Sequence, residues 1–287
     1  MEVTMLGTGS PVPMVDRAGT SLAVTAGNET ALVDCGPNTV QRLLKSQIDP
    51  AAIEQLFFTH QHMDHNADFF QFVIGGWSRG RENLTLHGPP GTERLVESLE
   101  YIYDEDIAYR QNLGYPLDGI KDIECNEVRP GDSICLDTVD VSVCEVDHSI
   151  KTYAYRFDDV RTGESIVFTG DTDYLPSLDD FAAGADVLIH DCCMAPPKPE
   201  QTGGEFVWEE FTNPLTQEKR RRLSNFHADA EEAGTIAADA DVDTLVLTHL
   251  LPYRDQDAIR ESARTVFDGE IVVAEDNMTI RSSNATT

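Results

Sequence analysis

Apolar residues in this chain come mostly in short runs bounded by turn residues, the pattern of buried strands. Glu2 to Leu6, Ser21 to Thr25 and Thr30 to Asp34 read as strands. The first ends in Gly7-Thr8-Gly9-Ser10-Pro11, and the third stops at Cys35-Gly36-Pro37 before a helical segment, Thr39 to Lys45. Ile53 to Thr59 is a further apolar strand, followed after a polar loop by the amphipathic stretch Ala67 to Gly75. A short strand at Leu84 to His87, the turn Gly88-Pro89-Pro90-Gly91 and a helix from Thr92 to about Tyr103 come next, and beta structure resumes from Ile123. Asp140 to Val146 alternates cleanly, and Tyr153 to Phe157 and Ser165 to Thr169 form a hairpin around Arg161-Thr162-Gly163. Ala185 to Ile189 is a buried strand. The last part reads as helix Ala228 to Ala238, strand Thr244 to Thr248, helix Gln256 to Phe267 and strands at Glu270 to Ala274 and Thr279 to Arg281. Only Met194 to Phe226 lacks a period, which predicts a long loop or lid. Loose alternation of strands and helices, with several beta-beta connections, favours a layered sandwich over a barrel.

The polar loop after Leu56-Phe57-Phe58 changes the picture. His60-Gln61-His62-Met63-Asp64-His65 holds three of the eight histidines of the chain and a carboxylate, the donor types of a zinc site or of its first-row neighbours. In an extended chain His60 and His62 point to the same side and can bind one ion together. Asp64 and His65 fall where the chain turns into a helix, a position that suits a carboxylate, and face elsewhere. One loop thus offers two ligand pairs to two adjacent ions. The competing reading is a surface loop that is merely rich in histidine.

Bulk properties narrow the class. The 287 residues contain no linker or composition break, so one domain over 1–287 is expected. No basic leader with an apolar segment opens the chain and no run approaches membrane-spanning length, which predicts a cytoplasmic protein with no membrane partner. The six cysteines show no Cys-x-x-Cys and sit mostly in apolar runs, as reduced core residues do; Cys192 and Cys193, after His190-Asp191, read first as buried thiols too, with approach to a metal as the alternative. Net charge is −30, with Asp exceeding Glu and few lysines, a halophile-like balance. Such a surface repels itself in dilute buffer and is screened in molar salt, where the Debye length is about 3 Å. It also argues against general affinity for nucleic acid, which needs a basic surface.

Three more polar residues each end an apolar strand: His148, Asp171 in Gly170-Asp171-Thr172, and His249 in Thr248-His249-Leu250. Singly each could be structural; with the 60–65 loop they form a constellation. The order Thr59-His60-x-His62-x-Asp64-His65, His148, Gly170-Asp171-Thr172, Thr248-His249-Leu250 resembles the metallo-beta-lactamase superfamily. Leu6-Gly7-Thr8-Gly9-Ser10, Val33-Asp34-Cys35-Gly36, His87-Gly88-Pro89, Tyr115-Pro116-Leu117 and the His227 to His249 segment are similar to ribonuclease Z and its phosphodiesterase and arylsulfatase-like relatives. The resemblance covers nearly the whole chain. It implies an α/β, four-layer αββα sandwich with two Zn2+ ions, Mn2+ or Fe2+ being acceptable to the same donors. Carried over, His60, His62 and His148 bind one ion, Asp64, His65 and His249 the other, and Asp171 bridges them. A phosphodiesterase or nuclease is implied, in which activated water attacks phosphorus in line, Asp64 orients that water or takes its proton, and His227 serves the leaving oxygen. The plain reading of His227 is a residue at a helix start. A homodimer is among the assembly states the resemblance implies.

Two departures bear on the substrate. The arm with which tRNA-processing members grip tRNA lies between the residues matching His148 and Asp171, where this chain has room only for a tight hairpin. Its length goes instead into 194–226, where Lys219-Arg220-Arg221-Arg222 is a basic cluster that could hold phosphate or sulfate, or simply pair with Glu209, Glu210 and Glu218. Phe206, Trp208 and Phe211 could stack a base or an aryl ring, or anchor the loop. RNA or another phosphodiester is therefore the expected substrate, with a small-molecule ester hydrolase, an aryl sulfatase or a cyclic-nucleotide phosphodiesterase, as the alternative. A non-catalytic protein on the same fold fits poorly with a full ligand set.

Overall fold

The computed structural model describes residues 1–194, 222–252 and 254–282. Lys219, Arg220, Arg221 and most of the segment expected to be a lid lie outside the described residues. Two seven-stranded sheets face each other. The first contains β1 (Glu2–Gly7), β2 (Ser21–Ala26), β3 (Glu29–Val33), β4 (Gln55–Phe57), β5 (Thr85–Gly88), β6 (Glu124–Glu127) and β14 (Met278–Arg281), in the order β14-β1-β2-β3-β4-β5-β6. The second contains β7 (Ser133–Cys135), β8 (Val139–Val146), β9 (Thr152–Asp159), β10 (Ser165–Phe168), β11 (Val187–Asp191), β12 (Thr244–Thr248) and β13 (Glu270–Val273), in the order β13-β12-β11-β10-β9-β8-β7.

Strand alternation sorts the side chains into three apolar layers. Phe57 of β4, Tyr155 and Phe157 of β9, and Val187 and Ile189 of β11 meet between the sheets. Leu56 and its neighbour Phe58 point the other way, onto α1 (Thr39–Lys45), α3 (Phe69–Ser78) and α4 (Glu93–Ile102), through Leu43, Phe72, Trp77 and Leu99. Leu188 of β11 and Leu245 and Leu247 of β12 face away from the first sheet, onto α7 (Ala230–Asp239) and α8 (Gln256–Arg264), through Ile236, Ala237 and Ile259. Helix, sheet, sheet and helix stack in that order, the αββα sandwich expected. Each large side chain sealed in these layers contributes roughly 1.5–3 kcal/mol.

Differences from the sequence reading have local causes. The strand expected over Ile53 to Thr59 is only three residues long, Gln55–Phe57. Its end is diverted because the Thr59 N–H donates to the Asp34 side chain at 2.8 Å instead of to a neighbouring strand. The stretch expected from Ala67 forms α3 from Phe69, and a separate short helix, α2 (Met63–Asn66), precedes it, so the metal-type loop itself opens a helix. Helix α5 (Asp104–Asn112) buries only Ile107, and its polar sequence carries no apolar period to read. Strand β7 and helix α6 (Leu178–Ala182) are three and five residues long, too short for a pattern. The hairpin between β9 and β10 is as expected, antiparallel with Gly163 at φ 75° in its turn.

Candidate metal centre

Strands β10, β11 and β12 are parallel, so their C-terminal ends emerge together at one edge of the second sheet. Asp171 follows β10, Asp191 ends β11 and His249 follows β12 directly. From β8 the chain adds His148. Across the gap, the turn after β4 delivers His60, His62, Asp64 and His65. All seven sequence-selected ligand candidates therefore reach one place.

Local backbone geometry sets the ring of donors. Gly170 has φ +64°, and a Cβ there would meet the Thr59 side chain at 3.0 Å, so only glycine lets Asp171 turn in against the histidine loop. A Cβ on Gly36 would meet the Asp64 backbone carbonyl oxygen at 2.1 Å, so the lack of a side chain there lets the two segments close up beside the other carboxylate residue. His249 and Asp34 occupy the left-handed region without being glycine, at φ 58° and 57°. That conformation costs of order 1–2 kcal/mol for a side chain with a Cβ, and it is held by the packing around both residues.

Hydrogen bonds fix which nitrogen each imidazole presents. Thr59 Oγ1 donates to Asp34 Oδ2 at 2.8 Å, leaving the hydroxyl oxygen to accept from His60 Nδ1 at 2.9 Å. His65 Nδ1 donates to the same Asp34 Oδ2 at 2.7 Å. His148 Nδ1 donates to the Phe226 carbonyl at 2.9 Å. In the neutral rings, each Nε2 is then a bare lone pair directed inward. His60 Nε2 and His148 Nε2 lie 3.0 and 3.2 Å from His62 Nδ1. Two bare nitrogens so close to a third demand a proton or a cation between them. His65 Nε2 is buried without a hydrogen-bond partner and lies 3.3 Å from Asp171 Oδ1 and 3.7 Å from Asp64 Oδ2. His249 Nε2 lies 3.2 Å from Asp64 Oδ2 and 3.3 Å from Asp171 Oδ2.

Donors from His60, His62, His148 and Asp171 lie within 4.8 Å of one another, as do those from Asp64, His65 and His249. These are the two sets the sequence pairs suggested, with Asp171 facing both. The electrostatics ask for positive charge. Burial would raise the Asp171 carboxyl, but His249 and His65 outweigh it and hold it well below the usual carboxylate range. Burial likewise disfavours the His65 cation, yet Asp171 and Asp34 raise its pKa to about 10. His60, with histidines around it, is held well below the ordinary value, chiefly by burial. The ionised Asp171 holds a proton on His65, whereas His60 stays neutral; a divalent cation supplies the same positive charge in place of that proton, and the imidazole and carboxylate donors fit it.

Two aspartates behind the donors had no role assigned from sequence. Asp34 backs His65 and, through Thr59, His60. Asp191 Oδ2 accepts from His227 Nδ1 at 2.7 Å and from the Thr172 N–H at 3.2 Å, and its Oδ1 is 3.5 Å from His249 Nδ1. Burial opposes a cationic His227, but Asp191 raises its pKa. Both aspartates carry the strand-end signature that singled out His148, Asp171 and His249, so the signal was present. His227 stacks on His249, ring centres 5.3 Å apart and 10° from parallel. The capping box of Asp229 and Glu232 starts α7 two residues later and fixes the path of the chain there.

A cavity of about 620 Å³ opens over these groups. His62, Asp64, His148, Asp171, His227 and His249 form its floor, Val12, Leu223, Phe226 and Leu251 are among its apolar walls, and Arg222 and Arg254 also line it. Of the basic cluster, Arg222 is thereby placed at the site. His87 and His190 are kept out of it: His87 is stacked on Phe57 and bonded to Gln55, and His190 Nδ1 is bonded to the Asp191 carbonyl.

A family model of the beta-lactamase superfamily domain matches residues 29–250. Ribonuclease Z of Mycobacterium bovis is 33% identical over 283 residues, covering 96% of this chain and 96% of the relative. Ribonuclease Z of Mycolicibacterium gilvum is 34% identical over 283 residues, covering 96% and 94%. Among solved structures, the metallo-beta-lactamase fold protein YhfI from Bacillus subtilis aligns at TM-score 0.73 and 24% identity, covering 97% of this chain and 98% of that one. The short form of human tRNase Z aligns at 0.70 and 20%, covering 98% and 99%. The latter two likenesses concern the fold, whereas the first three matches extend to sequence. With its histidine-aspartate centre intact, the chain belongs to the beta-lactamase superfamily and, within it, to the ribonuclease Z family.

Proposed function

We propose that this protein is a two-zinc phosphodiesterase that cuts RNA, with His60, His62 and His148 holding one ion, Asp64, His65 and His249 the other, and Asp171 shared. The observation that carries the reading is the position of Asp171, whose Oδ1 faces His65 and whose Oδ2 lies 3.3–3.8 Å from His60, His148 and His249. A carboxylate between two nitrogen sets suits two ions at the spacing phosphodiester hydrolysis uses, about 3.5–4 Å. Bound there, the ions supply Lewis acidity and make an attacking water acidic near neutral pH.

The chain's own groups do the rest. Asp64, exposed to the cavity floor and bonded to His249, is placed to orient the attacking water and to take its proton. His227, oriented through Nδ1 by Asp191, which favours its protonated form, hands a proton from Nε2 to the departing oxygen. Arg222 and Arg254 bring guanidinium charge to the same cavity for the non-bridging phosphate oxygens. Phe226 and Leu251 offer an apolar wall for a base. Between Ser149 and Gly170 the chain is the β9–β10 hairpin, so tRNA gripping by an arm at that place is not part of this reading. With a net charge of −30, repulsion of RNA is relieved only by screening, and KM for RNA should fall as salt rises toward molar, opposite to a basic nuclease.

A small-ester hydrolase is favoured by one observation, the cavity volume, which lies in the range of small-molecule sites. The deciding experiment compares bis-p-nitrophenyl phosphate, p-nitrophenyl sulfate and an RNA oligomer in high salt, with metal content assayed and His62→Ala as control. Metal-dependent turnover of the diester and RNA supports the proposal. Turnover of the sulfate alone, or of none of the three with metals bound, sinks it.

A further inference from the structure

Two thiols stand side by side after β11 and point opposite ways. Cys192 packs into the apolar layer under α7 and α8. Cys193 belongs to none of the three apolar layers among the described residues. It is buried yet lines the cavity beside Asp171, His227 and His249. Its backbone N–H donates to Asp191 Oδ1 at 2.9 Å, which anchors the residue at the floor. Its sulfur, a ring nitrogen of His227 and a ring nitrogen of His249 lie within 4.8 Å of one another, all three residues buried.

We propose that Cys193, His227 and His249 form a separate position for a thiophilic metal ion such as Cd2+ or Cu+, one that shares His249 with the dinuclear centre. One thiolate and two imidazoles with an open side toward the cavity make a three-ligand site with room for a fourth, exogenous ligand. Soft sulfur selects ions that the imidazole and carboxylate donors of the dinuclear set favour less. The buried carboxylates Asp171 and Asp191, each within reach of the same histidines, balance the added charge. On binding, the sulfur–metal bond forms, the thiol proton leaves to solvent and no electron changes hands.

Occupation has two consequences, both resting on the functional reading above. His249 is drawn toward the thiol at the expense of the ion it would share with Asp64 and His65. Because Asp191 already engages His227 Nδ1, the nitrogen left for the ion is Nε2, the one needed to protonate a departing oxygen. A thiophilic ion at Cys193 is therefore inhibitory from a position that neither zinc ion occupies.

The test is a cadmium titration of the metal-loaded enzyme, following the ultraviolet thiolate-to-cadmium charge-transfer band rather than activity. The expected result is a saturable band in the wild type, lost in Cys193→Ser, retained in Cys192→Ser, and weakened about tenfold or more in apparent affinity in His227→Ala, which leaves every thiol in place. Far-ultraviolet circular dichroism on each variant excludes misfolding, and His227→Ala carries the test if Cys193→Ser fails to fold. No band in the wild type, a band that survives Cys193→Ser, or unchanged affinity in His227→Ala overturns the proposal. Metal content measured in parallel separates this outcome from failure of the dinuclear centre itself.

Discussion

The two sheets build their halves of the centre in different ways. The first sheet supplies four donors from one turn, His60 to His65, and locks them from behind with Asp34, which is fully buried and receives the Thr59 N–H, the Thr59 hydroxyl and His65. The second sheet supplies one residue per strand end, His148, Asp171 and His249, and its backing carboxylate, Asp191, reaches both His249 and His227. Asp34 holds rings that have to stay as they are, each with one nitrogen donating and the other bare. In the function proposed above, Asp191 holds a ring that gives up a proton and regains it. On that reading the first half is a fixed cradle, and the second carries the part of the chemistry that changes state.

The largest effect that would expose this difference is expected from Asp191→Asn. Without the carboxylate, His227 loses the partner that raises its pKa, and with metal kept at saturation RNA cleavage should fall roughly 10²–10⁴-fold in kcat. Bis-p-nitrophenyl phosphate, whose leaving group needs no proton, should lose far less. Equal losses on both substrates would show that Asp191 serves the metals and not the leaving group, and the contrast between the halves would collapse.

Asp34→Asn should do the reverse at smaller size. An amide has one accepting oxygen where the carboxylate uses two, so it cannot receive the Thr59 N–H on one side and the Thr59 hydroxyl with His65 Nδ1 on the other, and His60 and His65 lose their fixed tautomers. Metal affinity should drop about 10–100-fold, as for other groups that orient metal-binding histidines. At saturating metal, kcat should recover for both substrates. Affinity that stays at the wild-type level in a competition against a chromophoric chelator would rule out the cradle role.

The same contrast decided what could be read without coordinates. The first half was legible as a motif, because four donors from one turn are neighbours in sequence. The second half was legible as a rule about position, one polar residue at the end of each apolar strand, and it took the resemblance of its order to a known family to join it to the first half; the parallel ends of β10, β11 and β12 give that order its physical reason. Asp34 and Asp191 obeyed that rule too but went without a role, since a carboxylate that only orients other side chains leaves no trace in spacing. The layers were legible wherever strands alternate, as in β8, and lost in α5, where one buried residue in nine leaves no period. Lys219, Arg220 and Arg221 lie outside the described residues, and of their cluster only Arg222 is tied to the cavity.

The smallest effect concerns stability and appears only in acid. Each sheet buries one histidine away from the centre, His87 in the first and His190 in the second. Burial lowers the pKa of both, that of His87 to about 4. His87 is stacked on Phe57 at 4.5 Å with its Nδ1 unpartnered, so the folded protein holds it neutral. An unfolded chain protonates it near pH 6.5. The folded pKa is the lower one, so the stability linked to this ring is fully present above about pH 6.5 and is lost progressively as pH falls to about 4. The drop amounts to about 3 kcal/mol across that window, at 1.36 kcal/mol per pH unit. His87→Gln keeps a donor for Gln55 but cannot titrate. It should be less stable than the wild type at pH 7, by the lost stacking, and should close that gap as the pH approaches 4. Because the metal centre is common to both chains, its own acid sensitivity cancels in the difference between their denaturant midpoints. Curves that run parallel from pH 7 to 4 would mean that His87 titrates alike in the folded and unfolded chains and that burial does not hold it neutral.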